Sequence, residues 1–293
     1  MVTDRKIIIS NGRTSLDITE NPFYVDTTEG FDSLNIQIVT SQGSDQDGAS
    51  FVNSYVLPRD LAINGQLKAD TTERMEYLQQ KVMNIFVPNT EIKINHYYGG
   101  NNRIIRARVK KTPKFSFTKV STIKKYKVKM EANYPFWEDE KETLVPIADM
   151  KGGLRFPLVI RKNRGVAFGI KSAALIVNVY NKSPFEIGMR FVFIAKGRVT
   201  NPQLFNVNTR EFFKLNCEME AGESITVETG DEKTVSKNRK GIVTDYIGKI
   251  DLVSGGNTFL KLSSGNNLFR YAADDGEEKL EVKIYFVNKY VGV

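Results

Sequence analysis

A single cysteine, Cys217, stands in the 293-residue chain, so no internal disulfide framework and no cysteine-rich metal site can form. A chain so built folds in a reducing compartment without an oxidant. His96 is the only histidine, which excludes a multi-histidine metal site, and a catalytic pair with Cys217 would need two distant segments to meet by chance. The alternation around each reads instead as a partly buried strand histidine and a small core or half-buried cysteine. Long apolar runs are missing too. The N-terminus "MVTDRKIIISNGRTS" has only Ile7–Ile9 in unbroken apolar sequence, short of a secretion signal, and no run approaches the roughly 18–20 residues that span a bilayer. The expectation is a soluble protein. Proline is scarce at 9 residues, whereas phenylalanine (18) and tyrosine (12) are plentiful, a balance that favours packed sheets over disorder.

Catalytic signatures are also absent. There is no P-loop, no G-x-G-x-x-G and no G-x-S-x-G elbow. The acid runs "EDEKE" (138–142) and "DDGEE" (274–278) lie in turns, where solvation treats carboxylates alike, and paired catalytic acids need environments that split their pKa values. No catalysis, cofactor or metal is expected.

What is present is mainly β pattern, in a chain longer than most single cores hold, so two domains are expected. Residues 1–142 read as a β-rich N-terminal domain. In "FDSLNIQIVT", Leu34, Ile36 and Ile38 alternate with Asn35 and Gln37, and "SFVNSYVL" and "DLAINGQL" follow. "ADTTERMEYLQQKVMNIFVP" breaks the pattern. Met75, Leu78, Val82 and Phe86 recur at helical spacing, Asp70 with Glu73 resembles a capping box, and Pro88 follows, which predicts one helix over about 71–86. "TEIKINHYY" and "RIIRARVKK" flank "GGNN", a hairpin signal. From 143 a looser segment, about 143–157, has the Pro and Gly-Gly composition of a hinge. Seven or eight short strands then run to 293 without a helix, the pattern of a β-sandwich.

The net charge of +8 is local. Residues 103–129 carry eleven cations and no acid: Arg103, Arg106, Arg108, Lys110, Lys111, Lys114, Lys119, Lys124, Lys125, Lys127 and Lys129. They alternate with Ile105, Ala107 and Val109, then with Tyr126, Val128 and Met130, so they share a strand face. Phosphate binding is one reading. The interleaved aromatics, however, point to the opposite face, where they cannot stack on bases. The plainer readings are a solvated face or one that meets acids of another subunit, and Arg103, Arg106, Arg108, Lys110, Lys125, Lys127 and Lys129 are the candidate interface cations.

"SQGSDQDGAS", 41–50, sets Asp45 two residues from Asp47. With Gly48 as the sixth position of a calcium loop, the first falls on Gly43 and the twelfth on Ser54, and both fail as ligands. An ordinary connection with an Asp47-Gly48 turn is expected.

In order and spacing, three sets of motifs resemble the distal tail proteins (Dit) of phages with long, non-contractile tails. The first is "DGASF", with Asp47 and Gly48, leading to "VLPRDLAINGQL", with Arg59, and then the helix. The second is the run of basic strands closing on "PFW", Pro135, Phe136 and Trp137. The third is a C-terminal sandwich with an Asn201-Pro202 strand start, a Gly222-Glu223 turn, a corner at Gly265 and Asn267, and a "YVGV" ending. The resemblance implies a structural virion protein whose N-terminal domains form a hexameric ring. In this family such a hub joins the tail tube protein to the tail-associated baseplate protein and to receptor-binding proteins, and DNA passes through it. It implies a galectin-like, carbohydrate-module-like outer domain, synthesis in the bacterial cytoplasm from a phage or prophage, and a place at the virion tail tip. Edge strands such as 31–39 and 103–111 would pair with neighbours in such a ring. The alternative is a carbohydrate-binding adhesion module acting through the sandwich; a nucleic-acid-binding protein using the basic face is a further rival.

Overall fold

A computed structural model describes residues 5–116, 122–152, 169–173 and 176–293. Lys119 and residues 153–157 of the expected hinge lie outside these. Two compact units form: one holds the chain up to Glu140 together with Lys289–Val293, the other Lys141–Asn288.

The first unit contains β1 (Lys6–Ser10), β2 (Ser15–Asp17), β3 (Phe23–Glu29), β4 (Ile36–Ser41), β5 (Ser50–Val56), β6 (Arg59–Lys68), α1 (Thr72–Ile85), β7 (Glu91–Tyr98), β8 (Asn101–Phe115), β9 (Ile123–Ala132) and β10 (Trp137–Asp139). Its main sheet runs β2-β1-β7-β8-β9-β6-β3. Period-2 sequence becomes period-2 burial: in β9 Tyr126, Val128, Met130 and Ala132 are buried while Lys125 and Lys129 are exposed. Gly99 and Gly100, at φ of 56° and 78°, make the two-residue turn between β7 and β8 that needs left-handed backbone twice. α1 buries Met75, Leu78, Val82 and Ile85 and packs against β2, β6 and β8.

Three expectations change here. The helix is capped by Thr71, whose Oγ1 accepts from the Arg74 N–H at 3.2 Å, and not by Asp70, because the helix starts one residue later than the Asp70–Glu73 pairing implied. β8 lies between β7 and β9, so 103–111 is not an edge strand: up to Arg108 it pairs with β7, and Arg108, Val109 and Lys111 pair with β9. Alternation in 34–38 produces no buried face: β4 pairs only with β5, and the pair stands outside the main sheet.

The second unit contains β11 (Thr143–Gly152), β12 (Gly169–Ala173), β13 (Val177–Asn181), β14 (Arg190–Ala195), β15 (Val199–Thr200), β16 (Gln203–Asn206), β17 (Phe212–Lys214), β18 (Glu218–Met219), β19 (Ser224–Thr229), β20 (Lys233–Arg239), β21 (Ile242–Asp245), β22 (Gly265–Ala272) and β23 (Leu280–Phe286). A seven-stranded sheet, β12-β11-β23-β14-β19-β20-β21, faces the four-stranded β13-β22-β16-β17 across a shared apolar core. Phe191 of the first sheet and Phe213 of the second meet edge to face at 5.4 Å. The first residues of the expected hinge form β11, which pairs in register with β23 from Thr143↔Phe286.

The last strand, β24 (Lys289–Tyr290), returns to the first unit and pairs with β10, Trp137 opposite Tyr290. The sequence pattern grouped this ending with the sandwich. A two-residue strand carries no periodicity that could have marked the return.

Candidate assembly surface

The β4–β5 hairpin is the most exposed apolar element among the described residues of the first unit. Ile36, Ile38, Phe51, Val52 and Tyr55 are all solvent-exposed, with Phe51 at 66% and Ile38 at 63%. β-Branched and aromatic residues make it a strand pair, and a two-stranded ribbon with nothing beneath either face is marginal in water by itself. Its tip carries Asp45 and Asp47, and Gly48 turns at φ 77°. The two aspartates sit on an exposed loop, and among the described residues no cluster of three or more His, Cys, Asp or Glu could hold a metal.

Several of the basic residues find partners inside the unit. Arg106 bonds Glu138 at 3.0 Å, Lys110 bridges Asp60 at 2.9 Å and Glu131 at 2.6 Å, and Lys127 reaches Glu29 at 2.7 Å. The two carboxylates raise the Lys110 ammonium above the ordinary lysine range. Exposed pairs of this kind contribute little to stability, because water and salt screen them. Arg103 lies over the Tyr290 ring at 3.9 Å and donates to the Gly292 carbonyl at 2.7 Å. Among the described residues Arg108, Lys114, Lys125 and Lys129 form no ion pair. The sequence reading missed the intramolecular acids because Asp60, Glu29 and Glu138 lie far away along the chain.

Beside the unpaired lysines is a cavity of about 270 Å³, lined by Asp26, Asn64, Gly65, Lys114, Phe115, Ser116, Lys125, Tyr126 and Lys127. Gly65 opposes Tyr126 in the β6–β9 register, and a Cβ there would come within 2.7 Å of the tyrosine Cζ and Oη. Glycine leaves the ring its place. The Tyr126 hydroxyl is buried and has no hydrogen-bond partner.

Around Trp137 the packing is closed. Its indole donates to the Phe31 carbonyl at 3.1 Å, its ring meets Phe31 at 5.2 Å and His96 at 6.1 Å, and His96 accepts from the Arg5 Nε–H at 3.0 Å. His96 is fully rather than partly buried. Burial, then the nearby Arg5 and Arg103 charges, pull its pKa down to about 4. Arg59, also buried, donates to the carbonyls of Gly30 and Phe31 at 3.1 Å each and to that of Val291; burial lowers its pKa to about 10. Cys217 is buried, and burial pushes its thiol up to about 11, far from a reactive thiolate.

The remaining motif residues are turn and corner builders. Pro135 is buried and Phe136 meets Tyr134 at 5.6 Å. Asn201, at φ 51°, donates to Asp274 at 2.8 Å and accepts from the Cys217 N–H at 2.9 Å, and the buried Pro202 offers its carbonyl to Leu215. Gly222 turns at φ 85° so that buried Glu223 can accept from the Glu220 N–H and pair with Lys237 at 2.7 Å. Gly265 turns at φ 87°, and buried Asn267 ties Ser263, Gly265 and Val179 together.

Residues 14–133, within the first unit, match the family model of the phage tail protein RIFT-related domain. Among solved structures, the Dit protein of phage SPP1, described as a paradigm of the hub adsorption apparatus in phages that infect Gram-positive bacteria, superposes with a TM-score of 0.67. It is 12% identical, and the match covers 97% of this chain and 98% of that one. The fold is that of a phage distal tail protein. A chain of the phage P2 baseplate in its activated conformation with calcium also matches, at a TM-score of 0.53 and 10% identity over 99% of both chains. No curated protein sequence matches. The Dit fold covers both units, and the phage-tail family match falls on the unit that carries the hairpin and the basic face.

Proposed function

We propose that this chain is a structural protein of a phage tail tip, assembling through its first unit into a hexameric ring. Such a hub joins the tail tube protein to the tail-associated baseplate protein and to receptor-binding proteins, and leaves a channel through which DNA passes. The observation that carries this reading is the β4–β5 hairpin, which offers water an apolar ribbon on both faces. A monomer gains nothing from that exposure, whereas packing it on a neighbour removes about 25 cal/mol for each Å² of apolar surface buried. A hairpin that projects from one copy onto a different surface of the next makes a head-to-tail contact, which closes into a ring when the rotation per copy divides the circle. The family match over 14–133 and the Dit fold over nearly the whole chain support the same role.

Light scattering on the purified chain, with negative-stain imaging, tests it. Six copies of 33.2 kDa give a particle of about 200 kDa with a central opening. A monomer at every concentration that also fails to bind isolated tail tips would rule the reading out.

A further inference from the structure

Cross-strand register places like charges face to face beside the cavity of the first unit. Lys114 lies opposite Lys127 and Lys111 opposite Lys129 in the β8–β9 ladder, an arrangement that is destabilising where nothing intervenes. Glu29 compensates Lys127. Lys114 and Lys125 have no ion pair among the described residues, and the single acid in the cavity wall, Asp26, leaves a positive excess. The buried Tyr126 hydroxyl has no hydrogen-bond partner, an unfavourable state for a donor shut off from water. The cavity in the second unit is different. Lined by Glu223, Lys237, Arg239, Lys240, Ile242, Thr244 and Tyr246, it also carries a positive excess, but there Lys237 and Arg239 both pair with the buried Glu223 in its wall.

We propose that the Lys114–Lys125–Lys127–Tyr126 cavity is a carboxylate site, and that its occupant is the acidic hairpin tip, Asp45 and Asp47, of a second copy of this chain. At about 270 Å³ it lies below the roughly 300–1,000 Å³ of sites that enclose small molecules, and it has room for an acidic side chain. The tip is the complementary piece on the same polypeptide. It stands on strands of six and seven residues, a reach of roughly 20 Å, and neither aspartate forms an ion pair among the described residues. Docking satisfies the tyrosine hydroxyl and the unpaired lysines in one step, while the apolar flanks of the hairpin cover the neighbour. This inference rests on the ring reading above and assigns it a specific contact.

Charge exchange in the full-length chain tests it. Lys114→Glu with Lys125→Glu, and separately Asp45→Lys with Asp47→Lys, each weaken assembly about tenfold or more, and the four changes together restore it. Among the described residues none of these four makes an ion pair within its own copy, so circular dichroism stays as in the parent. Tyr126→Phe leaves the melting temperature of the dissociated chain unchanged or slightly raised, because it deletes an unpartnered hydroxyl, yet weakens assembly several-fold. Mixing an Asp47→Cys chain with a Ser116→Cys chain gives a disulfide-linked pair under mild oxidation. If the parent forms a ring but the four-fold exchange does not restore it and no crosslink forms, the docking is wrong and the ring stands. A parent that never assembles overturns both. Salt-sensitive binding of a duplex oligonucleotide, lost in the double lysine variant while assembly is unaffected, would reassign the cavity to phosphate.

Discussion

Arg59 donates to the main-chain carbonyl of Val291, a residue 232 positions further along the chain. The same guanidinium holds the carbonyls of Gly30 and Phe31, so one buried side chain joins the strand entering β6, the segment after β3 and the chain's final residues. Arg103 adds a second tie through Gly292 and the Tyr290 ring. Together they explain how five C-terminal residues belong to the first unit although the second unit lies between them in sequence.

Replacing Arg59 with methionine keeps much of the volume but strands three carbonyls, that of Phe31 buried and those of Gly30 and Val291 part-buried. The expected loss is on the order of 3 kcal/mol. Trp137 is the only tryptophan and sits in this unit, so its fluorescence in a urea titration reports the change directly. Arg59→Lys recovers only part of the loss, since one ammonium does not span three carbonyls. An unchanged midpoint in the methionine variant would contradict this account.

Removing Lys289–Val293 takes away β24 and the acceptors at Val291 and Gly292. The Trp137-monitored transition should fall by on the order of 10 °C. Differential hydrogen exchange should show β10 opening first. Protection at β10 equal to that of the full chain would show that the tail is not a fastener.

His96 makes the first unit sensitive to mild acid. Unfolded, an imidazole takes its proton near pH 6.5; folded, this one does so only near 4. Between those values unfolding takes up a proton, so stability is complete above about 6.5 and declines as pH falls toward 4, by at most on the order of 3 kcal/mol. His96→Gln keeps an acceptor for the Arg5 Nε–H and should flatten that slope between pH 4.5 and 6.5. Identical slopes in the two proteins would assign the acid sensitivity elsewhere.

Phe191 sits between Phe193 at 5.5 Å and Phe213 at 5.4 Å, where the two sheets of the second unit meet. Phe191→Ala should cost about 3–5 kcal/mol through lost burial and an unfilled cavity. Faster amide exchange across β14 and β19 would register it. A cost below about 1 kcal/mol would mean that the sheets are not held together at this point.

Much was legible in the sequence because it depends on neighbours along the chain. Two-residue alternation marked β6 to β9, helical spacing marked Met75, Leu78 and Val82, and the Gly99-Gly100 pair marked a turn that few other residues can make. Even the helix cap was missed by only one position, since Thr71 and Asp70 are both good caps and only the fold chooses between them. The motif residues Asn201, Gly222, Gly265 and Asn267 stood out through the family resemblance, and the first three take positive φ in the structure.

Tertiary structure decided what lies opposite what. Alternation in 34–38 is the same whether a strand covers a core or projects into water, and only the absence of a sheet beneath β4 showed which. The run of eleven cations looked unanswered until β6, β3 and β10 brought Asp60, Glu29 and Glu138 beside it, leaving Lys114 and Lys125 without an ion pair among the described residues. Periodicity is a property of one strand, whereas pairing, burial and charge balance belong to its neighbours in space.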